Sequence, residues 1–115
     1  MLNRSGSGVR QAKSTVVEIG SYSFDWENQI LYLNGEKDRR LTKKECEVLK
    51  FLCLNRGNLV KREDILVALW GENDYFHGRS LDVFIAKLRK YLSNDERVRI
   101  ENVPSVGFVF DIVDR

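Results

Sequence analysis

The stretch GRSLDVFIAKLRKYLS, residues 78–93, constrains the fold more than any other, because its apolar residues recur at the spacing of an amphipathic helix. Six apolar side chains would share one side of that helix: Leu81, Phe84, Ile85, Leu88, Tyr91 and Leu92. Small or positively charged side chains would occupy the opposite side: Val83, Ala86, Lys87 and Lys90. We therefore predict a helix from the N-cap Ser80 to about Leu92, with one face in the core and a basic face left open.

An antiparallel sheet is predicted ahead of the helices. The apolar residues Tyr22, Phe24 and Trp26 alternate with polar ones, which is the period of a half-buried strand. A second apolar run ends in Asn34-Gly35, a pair that favours a type I′ hairpin turn because both residues tolerate positive φ angles.

Two more helices are predicted between this sheet and the basic helix. In LTKKECEVLKFLCLNRG, Thr42 and Glu45 have the spacing of a capping box, and residues 55–57 form a stop signal. In KREDILVALWG, a helix would start after Lys61, which offers no side-chain acceptor as N-cap, and would stop at Gly71.

Non-helical segments are predicted on both sides of the basic helix. GENDYFHGR, residues 71–79, is polar and contains glycine, which predicts a loop. After the helix, VRIENV and FVFDIV are separated by PSVG, which predicts a terminal hairpin with a four-residue turn. The predicted order is sheet, three helices and hairpin, an α+β fold.

A single domain of ordinary size accounts for the 115 residues. Residues 1–15 lack periodicity and are rich in Ser, Gly and charge, so we interpret them as a flexible tail, a linker remnant or a segment left by cloning. Residues 16–115 would form the domain. No apolar run approaches the roughly 20 residues that cross a bilayer, so no membrane association is expected.

Charge is distributed unevenly, although the formal net charge is only +2. Residues 79–92 hold four basic residues against one acid, a local patch of +3. The two cysteines lie seven residues apart in the predicted first helix, too far to pair. They are therefore expected to be core residues of a protein in the reducing cytoplasm.

The residue inventory argues against catalysis. The chain has one histidine, no HxxxH or CxxC motif, no glycine-rich phosphate loop and no nucleophile elbow. Glu63 and Asp64 are adjacent in the predicted second helix, so their carboxylates do not converge. We expect no enzyme activity, no metal site and no cofactor.

Four segments resemble, in order and spacing, the OmpR/PhoB-type effector domain of bacterial two-component response regulators. They are LTKKECEVLKFL, LVKREDILVALWG, GRSLDVFIAKLRKYL and IENVPSVGFVF. The resemblance implies a winged helix-turn-helix that binds double-stranded promoter DNA and regulates transcription. The third helix, residues 79–92, would enter the major groove, and the wing, residues 102–107, would lie near the adjacent minor groove.

The same resemblance implies partners for the chain. In the full-length protein a phosphoacceptor receiver domain would precede it and connect it to a phosphorelay. Family members usually bind direct repeats as head-to-tail dimers assembled through receivers, so this chain alone is expected to be a monomer that binds weakly. The loop before the third helix would contact RNA polymerase through Asp74, Tyr75 and His77; the open alternative is that its aromatic residues only pin the loop to the core.

Within this resemblance, Val83, Ala86 and Lys87 would contact bases from the open face of the third helix. Small apolar side chains allow close approach to base edges, and a lysine can reach a guanine edge or a phosphate. Phosphate contacts would come from the helix and the wing: Arg79, Arg89, Lys90, Asn102 and Ser105. Asp82 would interact with the helix dipole or with Arg79.

Two positions depart from the family pattern. Phe84 stands where relatives often carry a polar group, and we expect it to lie half in the core. Pro104 stands where many relatives have an arginine at the tip of the wing. Because proline has neither charge nor N–H, we expect the wing to contribute little in the minor groove.

A winged helix that docks a protein and does not bind DNA is the alternative. A helix of that kind more often presents large apolar anchors on its open face. The open face of the predicted third helix instead carries small residues between cations, which favours DNA as its partner.

Overall fold

The computed structural model of the protein describes residues 16–71 and 75–113, with the side chains of residues 75 and 76 excepted. The tail predicted at residues 1–15 lies outside these ranges. Ten elements follow one another: β1 (Val16–Ile19), β2 (Tyr22–Asp25), β3 (Ile30–Leu33), β4 (Glu36–Arg40), α1 (Lys43–Leu54), β5 (Leu59–Lys61), α2 (Arg62–Trp70), α3 (Tyr75–Tyr91), β6 (Val98–Val103) and β7 (Gly107–Ile112). This order confirms the predicted sheet, three helices and hairpin, and adds the short strand β5.

The N-terminal sheet is antiparallel, with the strand order β1-β2-β3-β4. Tyr22, Phe24 and Leu31 are fully buried, so one face of the sheet belongs to the core. At the turn between β3 and β4, Asn34 and Gly35 have φ angles of 53° and 88°. Two successive positive φ angles confirm the predicted hairpin turn.

The helices α1 and α2 begin and end close to where the sequence predicts. The Thr42 hydroxyl accepts a hydrogen bond from the Glu45 backbone N–H at 3.2 Å, and the Glu45 carboxylate accepts one from the Thr42 N–H at 2.9 Å. This reciprocal pair is the predicted capping box. Lys61 precedes α2 without a side-chain cap, and Gly71 ends that helix with a φ of 83°.

The helix α3 begins at Tyr75, five residues before the predicted N-cap Ser80. The prediction that residues 71–79 form a loop is therefore wrong for residues 75–79. Polar residues and a glycine disfavour a helix in isolation, but propensity is a weak guide where tertiary contacts hold a segment.

Contacts with α2 explain this helical turn. Gly78 is buried, and its carbonyl oxygen accepts a hydrogen bond from Arg62 Nη2 at 3.1 Å. A Cβ atom on residue 78 would come within 3.3 Å of the same guanidinium, so the absence of a side chain allows this approach. The His77 ring stacks on Trp70 with 6.1 Å between ring centroids. Packing against α2 thus extends α3 toward the N-terminus, beyond the start that the local sequence predicts.

The C-terminal sheet has the strand order β5-β7-β6 and contains the wing. β6 and β7 pair until Val103 lies opposite Gly107, which leaves residues 104–106 as the turn, one fewer than predicted. A Cβ atom on Gly107 would overlap the backbone carbonyl of Val60 in β5. Glycine is therefore required for β5 to approach the hairpin this closely.

One core joins both sheets and all three helices. Its buried side chains include Ile19, Leu49, Ile65, Leu88 and Phe110. Trp26 and Trp70 are partly buried against it. Within the described ranges, no helix is long and apolar enough to cross a membrane.

A buried carboxylate joins the N-terminal sheet to the segment after α3. Asp95 is 7% exposed and accepts hydrogen bonds from the Ser21 N–H at 2.8 Å and from Arg97 Nη2 at 2.7 Å. Gly20 has a φ of 60°, and a Cβ atom there would overlap this carboxylate. The hydrogen bonds from Arg97 and, to a lesser extent, Ser21 hold the pKa of Asp95 well below its usual range. The ionised carboxylate is therefore the stable form in the folded protein.

Candidate nucleic-acid interface

The open face of α3 is formed by five exposed residues: Arg79, Val83, Ala86, Lys87 and Lys90. Val83 is 53% exposed, and Ala86 lies about one turn further along the helix. These two short side chains leave a shallow surface between the cations, so a partner molecule can approach the helix backbone closely. The sequence therefore correctly predicts which residues of α3 are left outside the core.

Arg62 of α2 supports the flank of α3 that faces the wing. Its Nη1 lies 2.6 Å from Oδ1 of Asp82, and its Nη2 donates to the Gly78 carbonyl oxygen. Asp82 lies about two turns inside α3, so the prediction that it interacts with the N-terminal end of the helix dipole is wrong. Arg62 precedes Asp82 by 20 residues, and no local pattern in the sequence connects them.

A groove of about 480 Å³ lies between α3 and the wing and collects polar groups from both. Arg89 lines it from α3, and its Nε donates a hydrogen bond to the Ile100 carbonyl oxygen at 2.8 Å, which ties α3 to β6. Asn102 and Ser105 line the groove from the wing and are exposed. Three of the predicted phosphate contacts thus lie together, and Arg62 joins them as a cation that the sequence did not predict.

The flank of α3 that faces α1 is organised around Glu45, which is 3% exposed. The Tyr91 hydroxyl donates a hydrogen bond to Glu45 Oε2 at 3.0 Å, and Lys87 Nζ lies 3.9 Å from the same oxygen. Burial and the hydrogen bond to Glu45 raise the pKa of Tyr91, so the phenol remains a donor at neutral pH. The sequence predicts Glu45 only as a capping residue; its contacts with α3 have no local signal.

Of the residues predicted to contact RNA polymerase, Tyr75 and His77 lie in α3 and not in the expected loop. Asp74 lies outside the described residues, and Tyr75 is the first residue of α3, described by its backbone alone. His77 lies inside the helix, half-buried against Trp70. Phe84 packs on the same tryptophan with 5.9 Å between ring centroids and is half-buried, as predicted. The contact of His77 with Trp70 fits the alternative prediction, in which this segment is held against the core.

Neither cysteine has the setting of a reactive thiol. Burial raises the pKa of Cys46 to about 11 and that of Cys53 to about 12, so both thiols are protonated at neutral pH. Cys46 Sγ also donates to the Trp26 carbonyl oxygen at 3.2 Å. In the part of the chain that the structure describes, no group of three or more His, Cys, Asp or Glu side chains could hold a metal ion.

Comparison with known sequences finds relatives that match most of this chain. The family model described as "Transcriptional regulatory protein, C terminal" matches residues 35–110. The transcriptional regulatory protein RprY of Bacteroides fragilis is 39% identical over 101 residues, which are 88% of this chain and 42% of that protein. The response regulator ArlR of Staphylococcus aureus is 32% identical over 101 residues, which are 87% of this chain and 46% of that protein. The chain thus spans less than half the length of these relatives.

Solved structures share the architecture. The RstA DNA-binding domain of Klebsiella pneumoniae, crystallised in complex with the RstA box, matches with a TM-score of 0.69 at 30% identity, over 84% of this chain and 96% of that one. The DNA-binding domain of CssR from Bacillus subtilis matches with a TM-score of 0.65 at 26% identity, over 78% of this chain and 99% of that one. The DNA-binding domain of CpxR from E. coli, 20% identical, has the same fold, with a TM-score of 0.73 over 86% of this chain and 98% of that one.

Proposed function

Because the chain belongs to the family of transcriptional regulatory protein C-terminal domains, the OmpR/PhoB-type winged-helix effector domains, we propose that it binds double-stranded DNA sequence-specifically and regulates transcription. The open face of α3 carries the proposal, because it combines two small side chains with exposed cations. Such a face fits the major groove, where base edges lie between phosphates. The family is one of DNA-binding regulators and not of enzymes.

A protein-docking role is the less supported alternative. The RstA domain, 30% identical to this chain, was crystallised with its own DNA box, which favours DNA as the partner. The composition of the α3 face agrees with that choice, since Val83 is its largest apolar side chain. Docking helices in protein interfaces instead centre on large aromatic or aliphatic anchors.

We assign base contacts to Val83, Ala86 and Lys87. The short side chains let the helix backbone approach the base edges, where either can pack on a thymine methyl group. The Lys87 amine is shared with Glu45 at 3.9 Å, an ion pair weak enough for DNA to displace because the lysine side chain is 50% exposed. Lys87 then reaches a guanine O6/N7 edge through a single amine, which discriminates less sharply than the bidentate contact of an arginine.

We assign phosphate contacts to the remaining cations of α3 and to the groove beside the wing. The residues are Arg79, Lys90, Arg62, Arg89, Asn102 and Ser105. A phosphate in the groove would lie between the two arginines that line it. The Nε of Arg89 is already bonded to Ile100, so its terminal amino groups are the donors left for the phosphate. Pro104, exposed at the tip of the wing, can donate nothing.

The length of the relatives supports the proposal that this domain is part of a longer protein. RprY and ArlR are each more than twice as long as the part that matches. We therefore propose that this chain is the effector half of a two-component response regulator in the bacterial cytoplasm, preceded by a phosphoacceptor receiver domain. Dimers of that protein would bind direct repeats, whereas the chain alone would be monomeric. Asp74 and Tyr75 are the proposed polymerase contacts, since His77 is engaged with Trp70.

Selection from a random pool of DNA duplexes, followed by mobility-shift titrations, tests the proposal. The chain should enrich a sequence and should bind the selected duplex more tightly than a duplex of mixed sequence. Its affinity for both should fall linearly on a log-log plot against salt concentration, because phosphate contacts release counterions. A chain that enriches no sequence and binds no duplex at low salt would overturn the proposal.

A further inference from the structure

The two flanks of α3 carry different side chains. Arg89 lies on the flank beside the wing, with Arg62 of α2 next to it. Phe84 and Tyr91 occupy the flank that faces α1 and α2, where Lys87 is the accompanying cation. A helix in the major groove lies between two phosphate strands across a groove about 12 Å wide, so each flank faces one strand. The aromatic flank therefore has fewer groups of its own to offer a phosphate.

Arg39 of β4 reaches this aromatic flank from the N-terminal sheet. Its guanidinium carbon lies 4.0 Å from the centre of the Tyr91 ring, in the last turn of α3. Arg39 pairs with the fully buried Leu31, and paired residues share a face, so the arginine side chain is on the helix-facing side of the sheet. It nevertheless remains 41% exposed. The arginine thus lies at the margin between the sheet and α3, open to solvent.

The more exposed charges at this margin are positive, because each cation is more exposed than the carboxylate beside it. Arg39 and Lys87 are both substantially exposed, whereas Glu45, the carboxylate nearest to Lys87, is buried. The nearest acid to Arg39 is Asp38, whose Oδ2 lies 3.6 Å from the arginine Nε. At that distance the contact is a weak ion pair. Solvent, or a phosphate in its place, therefore meets two cations here.

We propose that Arg39, stacked on Tyr91, binds a DNA phosphate on the side of the major groove opposite to the wing. The N-terminal sheet then takes part in DNA binding, and the two phosphate strands are held by different parts of the fold. The contact with the ring restrains the guanidinium before DNA arrives, so less side-chain entropy is lost on binding. This inference rests on the proposed DNA-binding function and adds one contact to it.

Arg39→Ala and Arg40→Ala form a matched pair for the test. The two residues are neighbours on β4 with the same charge, and Arg40 pairs with Ile30, so its side chain lies on the opposite face of the sheet. Dissociation constants are measured on the selected duplex and on a mixed-sequence duplex between about 50 and 200 mM salt. Loss of one phosphate contact lowers the log-log slope by about 0.9, so Arg39→Ala should reduce the salt-induced loss of affinity across this range about threefold on both duplexes. Arg40→Ala should behave as the wild type.

Arg39→Lys separates charge from packing, since it keeps the cation and should retain most of the slope. Thermal melting verifies that the variants fold, and Arg39→Gln, which keeps the side-chain stem, replaces the alanine variant if that one is unfolded. Equal slopes for the Arg39 and Arg40 variants would overturn the assignment of Arg39 while leaving DNA binding by α3 intact. Absence of salt-dependent binding by the wild-type chain would instead overturn the proposed function.

Discussion

Asp95 and Asp82 each pair with an arginine, and the two carboxylates differ in their exposure to water. The Asp95 side chain is 6% exposed and is bonded by Arg97 and by the Ser21 N–H. The Asp82 side chain is 55% exposed and is bonded by Arg62. Water screens the second pair at its carboxylate, whereas in the first pair it reaches only Arg97, whose side chain is 43% exposed. The pair with the buried carboxylate therefore stabilises the junction between sheet and helix, whereas the pair with the exposed carboxylate sets the charge of the surface beside the groove.

The largest effect is expected from Asp95→Asn, which removes the charge but keeps the shape. Arg97 and the Ser21 N–H would lose an ionised acceptor in a buried position, so the free energy of unfolding should fall by about 2 to 4 kcal/mol. Chemical denaturation measures this loss directly. A loss below about 0.5 kcal/mol would show that the junction does not stabilise the fold.

Acidification should weaken the same junction in the wild type. The pKa of Asp95 is lower in the folded than in the unfolded chain. Its contribution is therefore present above the unfolded value of about 3.9 and is lost as the pH falls toward the folded value. Denaturation curves recorded between about pH 6 and pH 2 should show a smaller dependence on pH in Asp95→Asn than in the wild type. An equal dependence of the unfolding free energy on pH in the two proteins would contradict this assignment.

The second effect concerns binding and not folding. Lys87→Ala should cost about 1 to 3 kcal/mol on the selected duplex and less on a mixed-sequence duplex, because a base contact is lost. Stability should change little, since the ion pair with Glu45 is long and the lysine side chain is 50% exposed. Titrations on both duplexes decide the matter: equal losses on the two would reassign Lys87 to a phosphate.

A smaller change is expected from Asp82→Asn, the exposed counterpart of Asp95→Asn. The unfolding free energy should fall by less than about 1 kcal/mol, because the pair is screened by water. Binding at low salt should tighten by less than about tenfold, since a negative charge is removed from a groove assigned to phosphates. A stability loss equal to that of Asp95→Asn would contradict the claim that the two pairs differ in their contribution to folding.

The smallest effect is expected at the tip of the wing. Pro104→Ala should change affinity by less than about 0.5 kcal/mol, the range of an uninvolved surface position. Pro104→Arg should tighten binding, most of all on sites flanked by A-tracts, whose narrow minor groove attracts arginine. A large loss of affinity in a folded Pro104→Ala protein would show that the wing contacts DNA through this residue.

Local signals account for what the sequence predicts correctly. The Thr42–Glu45 capping box, the Asn34-Gly35 turn and the exposed face around Val83 each follow from residues a few positions apart. The order of the elements follows from the same signals, because each marks the end of a strand or helix.

The errors and omissions arise from distant partners. The extra turn of α3 depends on contacts of Gly78 and His77 with α2. Asp82 is paired with a residue 20 positions away, and Glu45 with Tyr91, which is 46 positions away. Neither separation leaves a periodic pattern in the sequence, so these contacts require the folded chain.

The central claim is that the open face of α3 is the surface that reads DNA. Titration of the isotope-labelled chain with the selected duplex, followed by NMR, tests it most directly. We expect the largest changes in amide signals at residues 79–90, 102, 103 and 105, and little change at the exposed Leu54 and Val67 outside the proposed interface. Changes centred on those two residues, with the signals of residues 79–90 unmoved, would contradict the account.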